Sequence, residues 1–247
     1  MLALSLPLVL GATVKLVTNV RDLSAGQVGC PYAQRCWLAL ELKGVPYERV
    51  EIDLRAKPQW LLQVSPLGRV PALITDDEHA VVESTVINEF LEEAFPAAPA
   101  LLPSGLWERA SQRVLVHRVD SRFIPAGFRY LCYGGDKYED AWRAELAFWD
   151  AALCSAPDGG PFLGGERMGL ADVALAPFVE RLDAALAVHR RHGVRATCTE
   201  AGLGALARWC ERVWSLEAFE RTRCESEEAI ARVYEPVAVR GMSYLNQ

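Results

Sequence analysis

The chain has 247 residues, of which 51% are hydrophobic and 23% charged, so it is long and apolar enough to fold as one large domain or two ordinary ones. This composition excludes an intrinsically disordered protein. The net charge of −6 and the lack of a dense lysine or arginine run argue against a nucleic-acid or membrane partner.

Residues 1–12, MLALSLPLVLGA, are apolar enough to resemble the core of a secretory signal. They carry no basic residue before the apolar run, no A-x-A cleavage site follows, and the run is too short to cross a bilayer. A secreted protein is the alternative interpretation. We favour an N-terminal tail over residues 1–12 and predict a cytoplasmic protein.

Strand and helix patterns alternate between residues 13 and 96. The predicted strands are 13–20, 47–54, 70–75 and 79–83. The predicted helices are 31–44, 58–66 and 84–95. The order β-α-β-α-β-β-α requires a parallel first pair of strands and then an antiparallel hairpin, so this region is predicted to be a small α/β domain.

A proline-rich and alanine-rich linker is predicted over residues 97–104, and helical patterns dominate from there to the end. The predicted helices are 105–131, 138–154, 170–189, 202–214 and 225–235, with a kink at Pro125. The fold class is therefore α/β plus all-α, with domains at 13–96 and 105–247.

Seven cysteines, an odd number with irregular spacing in a chain of this size, argue against a disulfide framework. No C-x-x-C occurs, so a dithiol redox motif and a zinc ribbon are both absent from the sequence. His189 and His192 lie near Cys198, but Gly193 breaks the helix between them. We predict no metal site.

In the segment GQVGCPYAQRCW, residues 26–37, Cys30 lies between the first predicted strand and the start of the first predicted helix. With Pro31 at the first helical position, Cys30 is the predicted N-cap, and the helix terminus favours its thiolate. A buried structural cysteine is the alternative. Cys36 falls on the apolar face of the same helix and is predicted to be core. Because Cys30 has no resolving partner, it is expected to exchange with an external thiol.

Three stretches together resemble the glutathione transferase superfamily, most closely its cysteine-containing omega class. They are CPYAQR at 30–35, KPQWLLQVSPLGRVPAL at 57–73 and ESTVINEFLEEAFP at 83–96. Residues 162–184 resemble the family's C-terminal helix-initiation region, and the likeness spans roughly 13–235. The resemblance implies a thioredoxin-like domain followed by a helical domain, usually as a homodimer, with glutathione as cosubstrate.

The resemblance also implies roles for single residues. Cys30 is the nucleophile that forms a mixed disulfide with glutathione. Pro71 follows a cis peptide bond that turns the backbone of Val70 towards the cysteinyl part of glutathione. A trans turn at this bond is the alternative.

The two ends of glutathione are assigned in the same way. Glu83 takes the γ-glutamyl ammonium and Ser84, at a helix N-terminus, takes the neighbouring carboxylate. Lys57 faces the glycyl carboxylate. The alternatives are a simple helix cap at 83–84 and a solvated lysine at 57.

Asp172 is implied to form half of a capping box by reaching back to the N–H of Gly169, a structural role. The loop 21–29 is longer than is usual in the omega class. The aromatic residue that often lines the omega acceptor pocket has no clear counterpart, since Tyr234 stands at a different place. Tyr32, Phe128 and Tyr130 are the candidate acceptor-site residues.

The leading hypothesis is a glutathione-dependent thiol transferase that reduces mixed disulfides, and dehydroascorbate or related electrophiles, through a Cys30–glutathione intermediate. One alternative is a glutathionyl-hydroquinone-type reductase, although Tyr32 and Gln34 stand where that group has Trp and His. The other is a non-enzymatic glutathione-binding module similar to the chloride intracellular channel group.

Overall fold

The computed structural model describes residues 13–22, 27–224 and 226–241. The chain divides into two compact units. The first comprises the described residues up to Val20 together with Gly29–Leu101, and the second comprises Arg21–Val28 and the described residues from Leu102 onwards. The predicted tail, residues 1–12, lies outside the described residues.

The elements up to the end of the first unit are, in chain order, β1 (Val14–Asn19), β2 (Arg21–Asp22), β3 (Gln27–Val28), α1 (Pro31–Lys43), β4 (Tyr47–Ile52), α2 (Leu61–Val64), β5 (Ala72–Ile74), β6 (Ala80–Val82) and α3 (Ser84–Ala94). The later helices are α4 (Leu106–Arg118), α5 (Ile124–Tyr133), α6 (Asp136–Cys154), α7 (Leu170–His189), α8 (Val194–Ala201), α9 (Gly204–Ser215), α10 (Glu217–Thr222) and α11 (Glu227–Arg240). A π-helical turn, Val119–Phe123, joins α4 to α5, and a short 3₁₀ turn covers Pro157–Gly159.

The first unit is built on a four-stranded sheet in the order β4-β1-β5-β6. β1 is parallel to β4, whereas β5 is antiparallel to both β1 and β6. This is the predicted β-α-β-α-β-β-α order, and the thioredoxin-like fold class is confirmed. The parallel pair needs α1 as its crossover, which places the start of α1 at the end of β1.

Burial of β1 on both of its faces explains how the sheet is anchored. The adjacent residues Leu16 and Val17, whose side chains point to opposite faces of the sheet, are both buried, and Lys15 is exposed. Val17 belongs to a core cluster whose other members are Ile52, Leu61, Val70 and Ala72. The half-buried Cys30 packs against this cluster, so the reactive segment rests on the rigid part of the sheet.

The second unit is helical and its central helix is α7, which begins and ends where the sequence predicts. Most of α7 is buried, because it contacts α4, α5, α8 and α11. No helix in the described part of the chain combines the length and apolar character needed to cross a bilayer.

Several elements differ from the prediction. The single helix expected over 105–131 is α4, the π-helical turn and α5, with the irregular turn just before Pro125. The helix expected over 58–66 has only the four helical residues of α2. Three elements were not predicted at all: α8, α10 and the hairpin of β2 with β3, which lies inside the long loop 21–29.

Candidate active site at the first helix

Cys30 is the N-cap residue of α1, in extended backbone conformation directly before Pro31. Its side chain makes no capping hydrogen bond, so the thiol is directed elsewhere. Its sulfur lies 3.8 Å from the carbonyl oxygen of Val70. The thiol is half-buried, at the positive end of a 13-residue helix, which is the setting that favours a thiolate.

Asn19 holds the Cys30 backbone from the end of β1. The N–H of Cys30 donates to the Asn19 Oδ1 atom at 2.6 Å. Sequence analysis missed this residue. The available signal was a polar side chain at the carboxyl end of the first strand, where it can reach the N-terminus of the following helix.

The Val70–Pro71 peptide bond is cis, as the resemblance implies. The carbonyl oxygen that faces the Cys30 sulfur belongs to this peptide bond. Pro71 leads into β5, the strand that pairs with β1. The thiol and the backbone of Val70 are therefore brought together by the central strands of the sheet.

Glu83 and Ser84 stand at the N-terminus of α3. Glu83 is exposed and has a positive φ of 69°, a conformation that costs energy for a residue with a Cβ. Ser84 is 6% exposed. Its Oγ accepts a hydrogen bond from the buried Arg35 at 3.5 Å, and its carbonyl accepts one from the Cys36 thiol at 3.6 Å. The first turn of α3 thus lies against α1.

Lys57 is exposed, and its ammonium group lies over Gly68. A Cβ atom at Gly68 would come within 3.5 Å of the Lys57 Nζ atom. Gly68 also has a positive φ of 58°, so both the contact with Lys57 and the backbone conformation favour glycine at this position. Because Gly68 is two residues before Val70, the lysine lies on the segment that leads to the cis peptide bond.

This unit and the helical unit both match known families. The family model "Glutathione S-transferase, N-terminal domain" matches residues 29–94, and "Glutathione S-transferase, C-terminal domain" matches 134–212. "Glutathione S-transferase DHAR3, chloroplastic" from Arabidopsis thaliana is 35% identical over 202 residues, which are 82% of this chain and 72% of the relative.

The chain belongs to the glutathione S-transferase family.

Two solved structures support the assignment of this chain to the transferase family. Glutathione transferase Omega 3C from Trametes versicolor superposes with a TM-score of 0.72 and 29% identity, covering 86% of this chain and 90% of that one. The dehydroascorbate reductase from Chlamydomonas reinhardtii also has a TM-score of 0.72, with 26% identity over 90% of this chain and 97% of that one. The predicted likeness to the omega class is confirmed.

Cys36 lies in the core of the transferase, as predicted. Its side chain is fully buried, and desolvation raises the pKa of its thiol far above the usual range. All seven cysteines fall in the described residues, and each is a thiol rather than half of a disulfide. Burial likewise raises the pKa of Cys198 to about 12.

The three acceptor-site candidates have different surroundings. Tyr32 is exposed, and the guanidinium of Arg35 lies 5.1 Å from the centre of its ring. Phe128 packs against Tyr234 in the helical unit, with ring centres 5.5 Å apart. Tyr130 is 3% exposed and its hydroxyl donates to a glutamate of α6, so this phenol is held inside the helical unit. Of the three, Tyr32 is the most accessible to a substrate.

Asp172 accepts the predicted hydrogen bond from the N–H of Gly169 at 2.8 Å. Since Gly169 has no side chain, the reciprocal bond of a full capping box cannot form. The carboxylate also accepts bonds from the N–H groups of Leu163 and Gly164 and from the indole of Trp209. Sequence analysis missed these three donors.

Metal ligation has no candidate in the part of the chain that the structure describes: no group of three histidine, cysteine or acidic side chains is placed to share an ion. His189 instead bonds through its Nε2 atom to the carbonyl of Ala231, and His192 lies 3.0 Å from Glu200.

Proposed function

We propose that this transferase exchanges thiols and disulfides through a Cys30–glutathione mixed disulfide. The observation that carries the proposal is the position of the Cys30 sulfur. It lies at the N-terminus of α1 and 3.8 Å from the carbonyl oxygen of the cis peptide bond before Pro71. A hydroxyl in this place would stabilise a glutathione thiolate for conjugation, whereas a thiol can itself form the disulfide.

Glutathione would bind along the edge formed by the α3 N-terminus and the segment before β5. The backbone of Val70 pairs with the cysteinyl part in the manner of a strand. The Ser84 N–H, at the start of α3, and the Glu83 carboxylate hold the γ-glutamyl end, while Lys57 takes the glycyl carboxylate. Arg35 and Asn19 are positioning residues, since they contact Ser84 and the Cys30 backbone respectively.

In the first step, the Cys30 thiolate attacks the glutathione sulfur of a mixed disulfide. The old sulfur–sulfur bond breaks, a new one forms to Cys30, and the substrate leaves as a thiolate that takes a proton from water. In the second step, the thiolate of another glutathione attacks the bound glutathione sulfur. This releases oxidised glutathione and restores Cys30. One free glutathione is consumed in each cycle: its sulfur is oxidised as the substrate sulfur is reduced to a thiol, and the glutathionyl group taken from the substrate becomes the other half of oxidised glutathione.

Dehydroascorbate is the second proposed acceptor. The support is the likeness to the dehydroascorbate reductase from Chlamydomonas reinhardtii. Because dehydroascorbate brings no glutathionyl group, two free glutathione molecules supply the two electrons here, and Cys30 carries one of these glutathione molecules as a mixed disulfide. The accessible Tyr32 is the residue that we place nearest to the acceptor.

Replacing Cys30 by serine and by alanine tests the proposal. We expect both variants to lose the release of glutathione from a model mixed disulfide and the reduction of dehydroascorbate, while both still bind to immobilised glutathione. The matched control is Cys36→Ser. Persistence of turnover in both Cys30 variants contradicts the mechanism. If the unchanged protein binds glutathione but turns over neither substrate, the non-enzymatic module is the better assignment.

We also propose a homodimer. Leu106 and Trp107, at the start of α4, are 86% and 80% exposed, and Val114 lies two turns beyond Trp107 on the same face. Large apolar side chains exposed together are characteristic of an interface. We expect Trp107→Glu to convert a dimer into a monomer in light scattering coupled to gel filtration. An unchanged mass would exclude this face from the interface.

The cytoplasm is the proposed compartment. The support is the likeness to "Probable glutathione S-transferase DHAR1, cytosolic" from Oryza sativa subsp. japonica, which is 31% identical over 202 residues. Fluorescent fusions at the C-terminus, with and without residues 1–12, test this. We expect both to stay in the cytoplasm, and a change of compartment on removing these residues contradicts the proposal.

A further inference from the structure

A second candidate site lies in the helical unit and shares no residue with the glutathione site proposed above. It is a cavity of about 550 Å³ between the end of α6, the loop after it and one face of α9. Its chemically active lining groups are Cys154, Glu166, Arg208 and Arg212. The volume is in the range of small-molecule sites, roughly 300–1,000 Å³.

The two arginines are the first unusual feature of this cavity. Arg208 and Arg212 are four residues apart on α9, so they lie on the same face of the helix. Neither has an ion-pair partner among the described residues, and Glu166 is paired with neither of them in that part of the chain. Two like charges at this spacing destabilise a helix slightly, and a bound anion would reverse that cost.

The thiol is the second feature. Cys154 is the last residue of α6 and is exposed, in contrast to the buried Cys198 and Cys210 of the same unit. One turn earlier on α6, Asp150 accepts a hydrogen bond from the N–H of Leu206 at 2.9 Å. This bond fixes the end of α6 against the start of α9, so Cys154 and Arg208 face one cavity.

The loop wall is built by a close backbone approach. At Gly160, a Cβ atom would fall 2.1 Å from the carbonyl carbon of Gly165, and so only glycine fits. This contact holds the neighbouring Glu166 at the cavity. The cavity is thus lined by two guanidinium groups, one carboxylate and one thiol, all of them exposed to solvent.

We propose that Cys154 is a modification site for anionic low-molecular-weight disulfides, independent of Cys30. Each half of oxidised glutathione carries two carboxylates and one ammonium group, which match the two arginines and Glu166. The Cys154 thiolate attacks one sulfur of the disulfide. The sulfur–sulfur bond of oxidised glutathione breaks, and Cys154 gains a glutathionyl group. The other glutathione leaves as a thiolate and is protonated by water.

Peptide mapping by mass spectrometry in a Cys30→Ser background tests the proposal. We expect oxidised glutathione to modify Cys154, and the double change Arg208→Gln with Arg212→Gln to slow that reaction roughly three- to tenfold. The matched control is Arg232→Gln, an exposed arginine of α11 that does not line the cavity. It should leave the rate unchanged.

A neutral probe, bis(2-hydroxyethyl) disulfide, distinguishes a loss of carboxylate recognition from a change in the structure of the cavity. If the arginines recognise carboxylates, the double variant reacts with the neutral probe as fast as its parent does. Three results would overturn the proposal: no adduct at Cys154, an unchanged rate with oxidised glutathione in the double variant, or an equal slowing with both disulfides. Because the parent lacks Cys30, none of these results bears on the thiol-transfer activity.

Discussion

Cys30 and Cys36 carry the same thiol group in one helix, but their surroundings give them opposite chemistry. Six residues along a helix separate them by well over one turn, and this geometry was already enough to predict that they do not form a pair. The structure adds the reason why Cys36 is inert: its thiol is fully buried, and it donates to the Ser84 carbonyl. Only Cys30 meets both the helix terminus and solvent.

Thiol labelling should reproduce this contrast. At pH 6 we expect iodoacetamide to modify Cys30 roughly three- to tenfold faster than the exposed Cys154, because the helix N-terminus favours the Cys30 thiolate. Cys36 should remain unmodified until the protein unfolds. Timed peptide mapping provides the measurement. Equal rates at Cys30 and Cys154 would mean that the helix terminus does not activate the thiol.

Glu83 combines a strained backbone with an exposed carboxylate, a pairing expected of a binding residue. Glu83→Gly should raise the free energy of unfolding by about 1 kcal/mol, since glycine adopts a positive φ without strain. The same change should weaken glutathione binding about tenfold by removing the carboxylate that faces the ammonium. Urea unfolding and calorimetric titration with reduced glutathione measure the two effects.

Glu78 is the matched control, because it also has a positive φ, 63°, in the exposed turn between β5 and β6. Glu78→Gly should give a similar gain in stability with unchanged affinity for glutathione. Glu83→Gln removes the charge and keeps the strain, so it should weaken binding without the gain in stability. Unchanged binding in both Glu83 variants would remove this residue from the glutathione site.

Elements with a strong local signal were predicted correctly. α7 has long apolar periodicity, and α1 begins at Pro31 and ends before Gly44, whose left-handed conformation stops the helix. The start of α3 at Ser84 followed from the pattern, whereas the cis bond before Pro71 followed from the family resemblance. What was missed depends on contacts distant in sequence, as the Asn19 side chain that holds the Cys30 N–H illustrates.

α8 shows why a short helix escaped prediction. It has only eight residues, and its β-branched Val194, Thr197 and Thr199 are weak helix formers. Its N-terminus is held by Asp183 of α7, which accepts a hydrogen bond from the N–H of Arg195 at 2.9 Å. α7 ends at His189 with Arg190 as its C-cap, before Gly193 is reached, and Gly193 is the N-cap of α8.

The β2–β3 hairpin, in the long loop before Cys30, belongs to the helical unit. Arg21 donates to the carbonyl of Arg223 at 2.6 Å, and Val28 is buried in a cluster with Ala184 and Ile230. Sequence patterns could not show this packing, because the partners lie more than 150 residues away. The chain therefore leaves the α/β unit after Val20 and returns to it just before the reactive thiol.

Packing of this hairpin should contribute measurably to stability. We expect Val28→Ala to lower the free energy of unfolding by about 1–3 kcal/mol, because it removes buried methyl groups and leaves a small cavity. The control is Val239→Ala, an exposed valine on α11, with an expected change below about 0.5 kcal/mol. Urea midpoints compare the two. If both variants unfold alike, the hairpin does not stabilise the helical unit.

On the scale of the whole molecule, the carboxylate of Asp172 joins parts of the helical unit that are far apart in sequence. Its donors come from the loop before α7, from the start of α7 and from Trp209 on α9. The family resemblance implied one of these bonds, the one from the N–H of Gly169. A buried carboxylate with four donors is expected to act on the stability of the entire unit.

Burial raises the pKa of Asp172 to about 6, against the opposing effect of its hydrogen bonds. A carboxyl group whose pKa is raised by folding makes its full contribution to the stability of the folded protein at low pH, where it is protonated in both the folded and the unfolded state. This contribution is lost as the pH rises from about 4 through 6, because the folded state must then bury a charge. The size of the loss is about 3 kcal/mol.

Comparison with Asp172→Asn isolates this effect, since the amide does not titrate. The variant should be less stable than the unchanged protein at pH 4.5, because its NH₂ group faces the donors. The difference in unfolding free energy should shrink by about 2 kcal/mol between pH 4.5 and pH 7.5, because about 1 of the 3 kcal/mol is already lost at pH 4.5. Asp136→Asn, in the first turn of α6, is the control for exchanging an exposed carboxylate for an amide. A difference that grows with pH would mean that the four donors stabilise the carboxylate by more than burial destabilises it.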